Sequence, residues 1–175
     1  MDNRPIGVFD SGIGGLTVVG AIANNLSNED IIYVGDTARV PYGNKSKNRI
    51  RQYASEITKW LITQDCKMIV VACNTVSALA LDYLNSIFSI PIIGVIDPGV
   101  EKAVEISQNN KIAVLGTSAT IRSDAYGKRL KAIKPEVVVT SQACPLFVPL
   151  AEEGWIDGEI PFQIATYYFS SLKKM

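Results

Sequence analysis

A short apolar run that stops at small polar residues and then passes into a helical stripe occurs six times along the chain, and this recurrence restricts the fold more than any other feature. The plainest instance is Met68-Ile69-Val70-Val71, followed by Ala72-Cys73-Asn74-Thr75. Such a β-branched run reads as a strand buried on both faces. After it Val76, Leu79, Ala80, Tyr83, Leu84 and Ile87 recur at helical spacing. The other strand-like runs are Ile6 to Phe9, Ile31 to Val34, Pro91 to Val95, Lys111 to Leu115 and Val137 to Val139. Stripes between them are led by Leu16, Ile50, Val100 and Ile121, and a last one runs from Phe162 through Leu172 to end at Lys173-Lys174-Met175. Strand–helix alternation predicts a doubly wound parallel α/β fold. The turn Asp97-Pro98-Gly99 marks the junction between a first domain, 1–97, and a second, 98–175.

Composition narrows the class. Hydrophobic residues make up 47% of 175, enough for a sizeable core. Seventeen basic and seventeen acidic residues cancel without forming a block, which argues against nucleic acid or an anionic membrane as partner. Three cysteines at irregular spacing give neither a disulfide framework nor a zinc pattern, so a reducing cytoplasm is expected. No signal-peptide core and no bilayer-length apolar stretch is present. Histidine is absent, which excludes histidine bases, histidine metal ligands and serine–histidine or cysteine–histidine pairs within these residues.

Three strand mouths carry chemistry, and mouths in one sheet line one edge, where residues distant in sequence converge. Cys73 lies at a strand end just ahead of a helix N-terminus. Ligands bind at such places, and the local field favours a thiolate, so a pKa below the free-thiol value of about 8.5 is expected. The alternative is a buried cysteine acting as a small hydrophobe. Asp10-Ser11-Gly12-Ile13-Gly14-Gly15 joins a strand to a helix without matching G-x-G-x-x-G or a P-loop. Asp10 there accepts from an ammonium group, acts as a base partner, or caps the helix. Gly116-Thr117-Ser118-Ala119-Thr120 repeats the layout, with helix capping as the alternative. The connection after the second strand holds Pro41-Tyr42-Gly43, which either offers two backbone N–H groups to an anion or is a plain type II turn. Cys66, in a short loop, and Cys144, before a proline, read as packing.

Taken together these residues resemble the glutamate racemase family of the aspartate/glutamate racemase superfamily. The motifs are Val8 through Thr17, Gly35-Asp36 with Pro41-Tyr42-Gly43, Ala72 through Thr75, Ile96 through Gly99, Leu115 through Thr120, and Pro149 through Gly154. They recur in family order across essentially the whole chain, and look more like the glutamate than the aspartate branch. The resemblance implies two similar α/β domains, no pyridoxal phosphate and no metal. It also implies a cytoplasmic, self-associating enzyme that supplies D-glutamate for peptidoglycan and so for cell shape. In the family two cysteines face each other across the substrate α-carbon, one removing a proton as the other delivers one. Cys73 matches the first, and Asp10 matches a residue near the substrate ammonium that supports it. Ser11, Pro41, Tyr42, Gly43, Asn74, Thr75, Thr117 and Thr120 match substrate-positioning groups. Glu152 matches an acidic residue near the second catalytic set.

The family's second cysteine lies in a Gly-Cys-Thr-His-Tyr-Pro motif, and neither that motif nor any histidine occurs here. The expectation is therefore a chain that ends before the second domain is complete, hides its raw edges by association, and does not racemise glutamate alone. The competing readings are a catalytically inactive racemase-like fragment and a module that binds an acidic amino acid without inverting it.

Overall fold

A computed structural model describes residues 2–170 and Leu172. Met1 and the expected helix end at Lys173-Lys174-Met175 lie outside the described residues. The chain divides into two compact units, Met1–Val95 and Ile96–Met175.

The first unit runs β1 (Ile6–Asp10), α1 (Leu16–Asn25), β2 (Ile31–Gly35), a 3₁₀ turn at Tyr42–Asn44, α2 (Lys47–Thr63), β3 (Met68–Val71), α3 (Asn74–Leu79), α4 (Leu81–Ile87) and β4 (Ile92–Gly94). Its four strands are all parallel, in the order β2-β1-β3-β4. Side chains alternate across the sheet as a strand demands. Ile6, Val8, Val70 and Ala72 pack with Val18, Val19 and Ile22 of α1. Phe9, Ile69, Val71 and Ile92 pack on the other face with Ile50, Ile57 and Leu61 of α2 and Leu84 of α4. Helices thus cover both faces, and β1 is buried along its whole length.

The second unit runs α5 (Ile96–Ile106), β5 (Lys111–Gly116), α6 (Ser118–Ser123), α7 (Ala125–Ile133), β6 (Val138–Ala143), α8 (Phe147–Glu152) and α9 (Glu159–Ser170). Strands β5 and β6 pair in parallel as a separate two-stranded sheet. Arg129 of α7 forks onto Asp97 of α5 with two 2.6 Å bonds, and Phe147 meets Tyr168 edge to face at 5.3 Å.

All six expected strands form, but several boundaries differ. Asp97-Pro98-Gly99 is helical rather than a turn, because α5 starts at Ile96 and puts Pro98 in its first turn, where a missing N–H costs nothing. Pro149 sits likewise in the first turn of α8. The stripe after Cys73 is two helices, since Ala80 leaves helical geometry at φ −131° and ψ −12°. The stripe from Ile121 is also broken, at Asp124 in the left-handed region with φ 54°. Strand β6 continues through Thr140-Ser141-Gln142, whose polarity hid it, because each residue has a ladder partner in β5.

Leu61 is fully buried on α2, and its neighbour Ile62 is 39% exposed. Leu61→Ala is expected to cost about 2–5 kcal/mol, and Ile62→Ala well under half of that, about 0.5 kcal/mol. Equal shifts of the two variants in urea unfolding would contradict the orientation of this helix.

Candidate active site

In the four-stranded sheet the chain reverses its direction of winding between β1 and β3, and ligands of open parallel sheets bind at such a switch point. The strand ends there carry Asp10-Ser11 and Ala72-Cys73. Phe9 stands opposite Val71, and the Ala72 N–H donates to the Phe9 carbonyl at 2.9 Å. On the other side the Asp36 N–H donates to the Asp10 carbonyl at 3.0 Å, which brings the β2 mouth to the same edge.

Asp10 is buried, and its Oδ2 accepts from the N–H groups of Gly12 at 3.2 Å and Gly15 at 3.0 Å. Asp10 thus braces the glycine turn ahead of α1, whose N-cap is Gly15 with no side-chain cap bond, and two amides of that turn face a carboxylate rather than a phosphate. The turn is pressed tightly onto the sheet. A Cβ on Gly15 would lie 2.6 Å from the Asp10 Cβ, and one on Gly35 would lie 2.6 Å from the Gly12 carbonyl oxygen. The Tyr33 hydroxyl donates to that same carbonyl at 2.6 Å.

Cys73 is the N-cap residue of α3, extended at φ −72° and ψ 117°, and almost wholly buried. Its Sγ lies 3.4 Å from Ser11 Oγ. Burial, and then the negative charge of Asp10, push its pKa up to about 11. Hydrogen bonds from the Ser11 side chain and from the Val76 and Ser11 backbones pull the other way but lose. The expected acidic thiol is thus corrected. Its position beside a helix start was legible, but α3 is a helix of six residues, and desolvation outweighs so short a dipole.

Pro41-Tyr42-Gly43 is not a type II turn. Pro41 is the N-cap of the 3₁₀ turn at Tyr42–Asn44, and Tyr42 and Gly43 are buried. Tyr42 shares a core cluster with Cys73. Its hydroxyl donates to Asp36 Oδ2, which also receives Arg39 Nε at 2.6 Å. Burial, reinforced by Asp36, raises the Tyr42 pKa. Burial works against the charge of Arg39, yet its bonds to Asp36 and Glu56 prevail and raise its pKa. Gly35-Asp36 belongs to the family motifs, but neither Asp36 nor Arg39 is among the expected site residues. The available signal was that Gly35-Asp36, like Asp10-Ser11, ends a strand in an acid.

The first unit therefore brings together Asp10, Ser11, Cys73 and the Tyr42-Gly43 turn. Asn74 and Thr75 open α3 directly after Cys73, with Asn74 exposed and Thr75 buried. Thr117, Thr120 and Glu152 belong to the second unit, so the third mouth does not share a sheet edge with the first two. Thr117 is the N-cap of α6 and accepts from the Thr120 N–H at 3.2 Å, the two hydroxyls lying 3.0 Å apart. Glu152 is the half-buried last residue of α8. Cys66 is buried at the N-terminal end of β3, the opposite end from Cys73, and Cys144 follows β6, also buried. Among the described residues no group of three or more metal-ligating side chains could hold a metal ion, and no helix is long and apolar enough to cross a membrane.

The thiol's behaviour follows from this balance. Alkylation of Cys73 in the folded protein, read peptide by peptide, is expected to titrate near pH 11, and Asp10→Asn to lower that midpoint by removing the opposing charge. The unfolded chain releases this proton near the ordinary value of 9.0 and the folded chain holds it to about 11. The thiol's contribution to stability is thus complete below pH 9 and falls between 9 and 11. A midpoint for Cys73 below that of a free thiol would show that burial does not dominate.

The Asp/Glu/hydantoin racemase family model matches residues 6–157. A glutamate racemase of Geobacter metallireducens is 52% identical over 171 residues, which are 98% of this chain and 63% of that protein. One of Aquifex aeolicus is 50% identical over 168 residues, 96% of this chain and 65% of its own length. The chain thus spans less than two thirds of the length of either relative. Among solved structures, glutamate racemase of Francisella tularensis in complex with D-glutamate is similar with a TM-score of 0.90 and 47% identity, covering 98% of this chain and 64% of that one. A glutamate racemase of Bacillus anthracis is similar with a TM-score of 0.91 and 36% identity, covering 100% and 66%. The matched span begins at β1 and takes in both the Asp10 and the Cys73 mouths, and on this match the chain belongs to the Asp/Glu/hydantoin racemase family.

Proposed function

We propose that Cys73 is one of the two acid/base groups of a cofactor-independent glutamate racemase, and that Asp10 supports it. The observation that carries this reading is that Asp10 ends β1 and Cys73 follows the adjacent β3, at the sheet's switch point. Glutamate as substrate is supported by the relatives' names and by the D-glutamate bound in the Francisella protein. The resemblance extends the reading to D-glutamate supply for peptidoglycan, in the cytoplasm, by a self-associating protein.

The chemistry follows from the thiol's resting state. With a pKa pushed up to about 11, Cys73 is protonated at neutral pH and is first of all a proton donor. A substrate ammonium near Asp10 would offset the charge that opposes the thiolate, so substrate binding itself prepares the base. The thiolate then takes the α-proton. The C–H bond breaks, an S–H bond forms, and the electron pair stays on the α-carbon, delocalised into the adjacent carboxylate. Ser11, Asn74, Thr75 and the Tyr42 and Gly43 amides are the groups proposed to hold the substrate. Thr117, Thr120 and Glu152 are assigned here on the family motifs alone.

Inversion requires a second proton delivered to the opposite face. Cys66 lies at the wrong end of β3, Cys144 lacks the neighbours of the family's second cysteine, and the sequence has no histidine. A polypeptide of these 175 residues is therefore expected to exchange the α-hydrogen of glutamate in deuterated water without changing its handedness. Loss of one of two proton-transfer partners is worth roughly 10²–10⁴-fold. Proton NMR reads the exchange and circular dichroism the handedness. Exchange that disappears in Cys73→Ala supports the assignment. Racemisation at ordinary enzymatic rates would refute the one-sided chemistry, and binding without exchange would favour the module that holds an acidic amino acid and leaves it unchanged.

A further inference from the structure

The β2 mouth holds a charged cluster to which the proton transfer assigns no task. Asp36 follows β2 directly and is buried, and its backbone N–H is fixed to the Asp10 carbonyl. Its Oδ2 accepts from both the Tyr42 hydroxyl and Arg39 Nε. Arg39 is itself held from several sides. It bonds Glu56 at 2.6 Å, its guanidinium lies 4.1 Å over the Tyr53 ring, and its N–H donates to the Asp36 carbonyl at 3.1 Å. The Tyr53 ring in turn lies 5.6 Å from the Tyr42 ring, tilted by 48°. Tyr42 is thus gripped at both ends, its ring by Tyr53 and the core and its hydroxyl by Asp36.

A buried carboxylate is costly without a partner, and Arg39 supplies the compensating charge. A cluster bonded so completely is rigid. What it holds still is a piece of backbone. Tyr42 opens the 3₁₀ turn, whose i→i+3 bond runs from the Lys45 N–H to the Tyr42 carbonyl at 3.0 Å. The amides of Tyr42 and Gly43 lie ahead of that bond, as the opening amides of any helical turn do.

We propose that Asp36 and Arg39 are positioning residues, which act through the Tyr42 hydroxyl to hold the Tyr42 and Gly43 amides where a substrate carboxylate is received. This rests on the reading of the site as a glutamate site. Neither residue is assigned contact with the reacting atoms, so their loss weakens substrate binding more than proton transfer.

The test uses the 175-residue chain with Asp36→Asn, Tyr42→Phe, the double variant, Arg39→Lys and Arg39→Met. Two quantities are read: α-hydrogen exchange as a function of glutamate concentration, and the ¹⁵N amide shifts of Tyr42 and Gly43 without glutamate. Asp36→Asn is expected to raise the half-saturating glutamate concentration about tenfold and to change the maximal rate less than about twofold. Tyr42→Phe should give the same loss, and the double variant no more than either alone, because both remove one linkage. Arg39→Lys should keep most of the affinity that Arg39→Met loses. The two amide shifts should move in Asp36→Asn before any glutamate is added. Tyr42→Phe removes a single oxygen and keeps the test open if Asp36→Asn fails to fold. Additive losses, a loss confined to the maximal rate, or unmoved amide shifts would overturn the proposal. Should the unaltered chain neither bind nor exchange glutamate, the reading of the site falls and takes the proposal with it. Should it exchange with equal affinity in every variant, the positioning role alone falls.

Discussion

Phe9 stands opposite Val71, and because β1 and β3 run parallel their C-terminal ends finish side by side. Everything at the site hangs on that register. Asp10 and Cys73 are separated by sixty-odd residues of chain, a full helix layer and another strand, yet they sit at one edge. A slip of one residue in either strand would turn each side chain to the opposite face of the sheet. The register is secured by burial on both faces, with Val8 and Val70 turned toward α1 and Phe9 and Val71 toward α2. Packing thus sets the chemistry's geometry, and the polar groups add only local corrections.

The local corrections are nevertheless what makes the edge specific. Around β1 each backbone group has a task. The Asp10 carbonyl holds Asp36, the Phe9 carbonyl holds Ala72, and the Asp10 carboxylate gathers the glycine turn. Carboxylates at the two neighbouring mouths are managed differently. Asp10 is satisfied by backbone N–H groups, and its negative charge reaches the Cys73 thiol. Asp36 is answered by Arg39. One acid is left to act on the buried thiol while the other is tied to a cation.

The strands and their mouths were legible because short β-branched runs such as Ile69-Val70-Val71 admit few other placements. Cys73 and Asp10 were legible for the same reason, as polar residues placed where a buried run stops. What could not be read is what depends on three-dimensional surroundings. The raised pKa of Cys73 comes from desolvation by residues distant in sequence, which no local pattern announces. The tasks of Asp36 and Arg39 depend on Tyr42 and Tyr53, which only the fold brings around them. Pro98 misled in α5, because a proline read as a turn residue is harmless in a helix's first turn. Polar Thr140-Ser141-Gln142 concealed most of β6, since its ladder rests on backbone pairing rather than on side-chain burial.

The interruption at Ala80 separates two mechanical duties. Helix α3 carries Cys73 at its start, and α4 packs against β4 at the sheet's border. Had the stripe formed one continuous rod, any tilt of its far end would be levered to the thiol. Ala80, out of helical geometry, instead divides the stripe into two separately directed helices. The direction of α4 is therefore set by its own packing, in which Leu84 is fully buried, rather than by continuation of the helix that starts at the thiol.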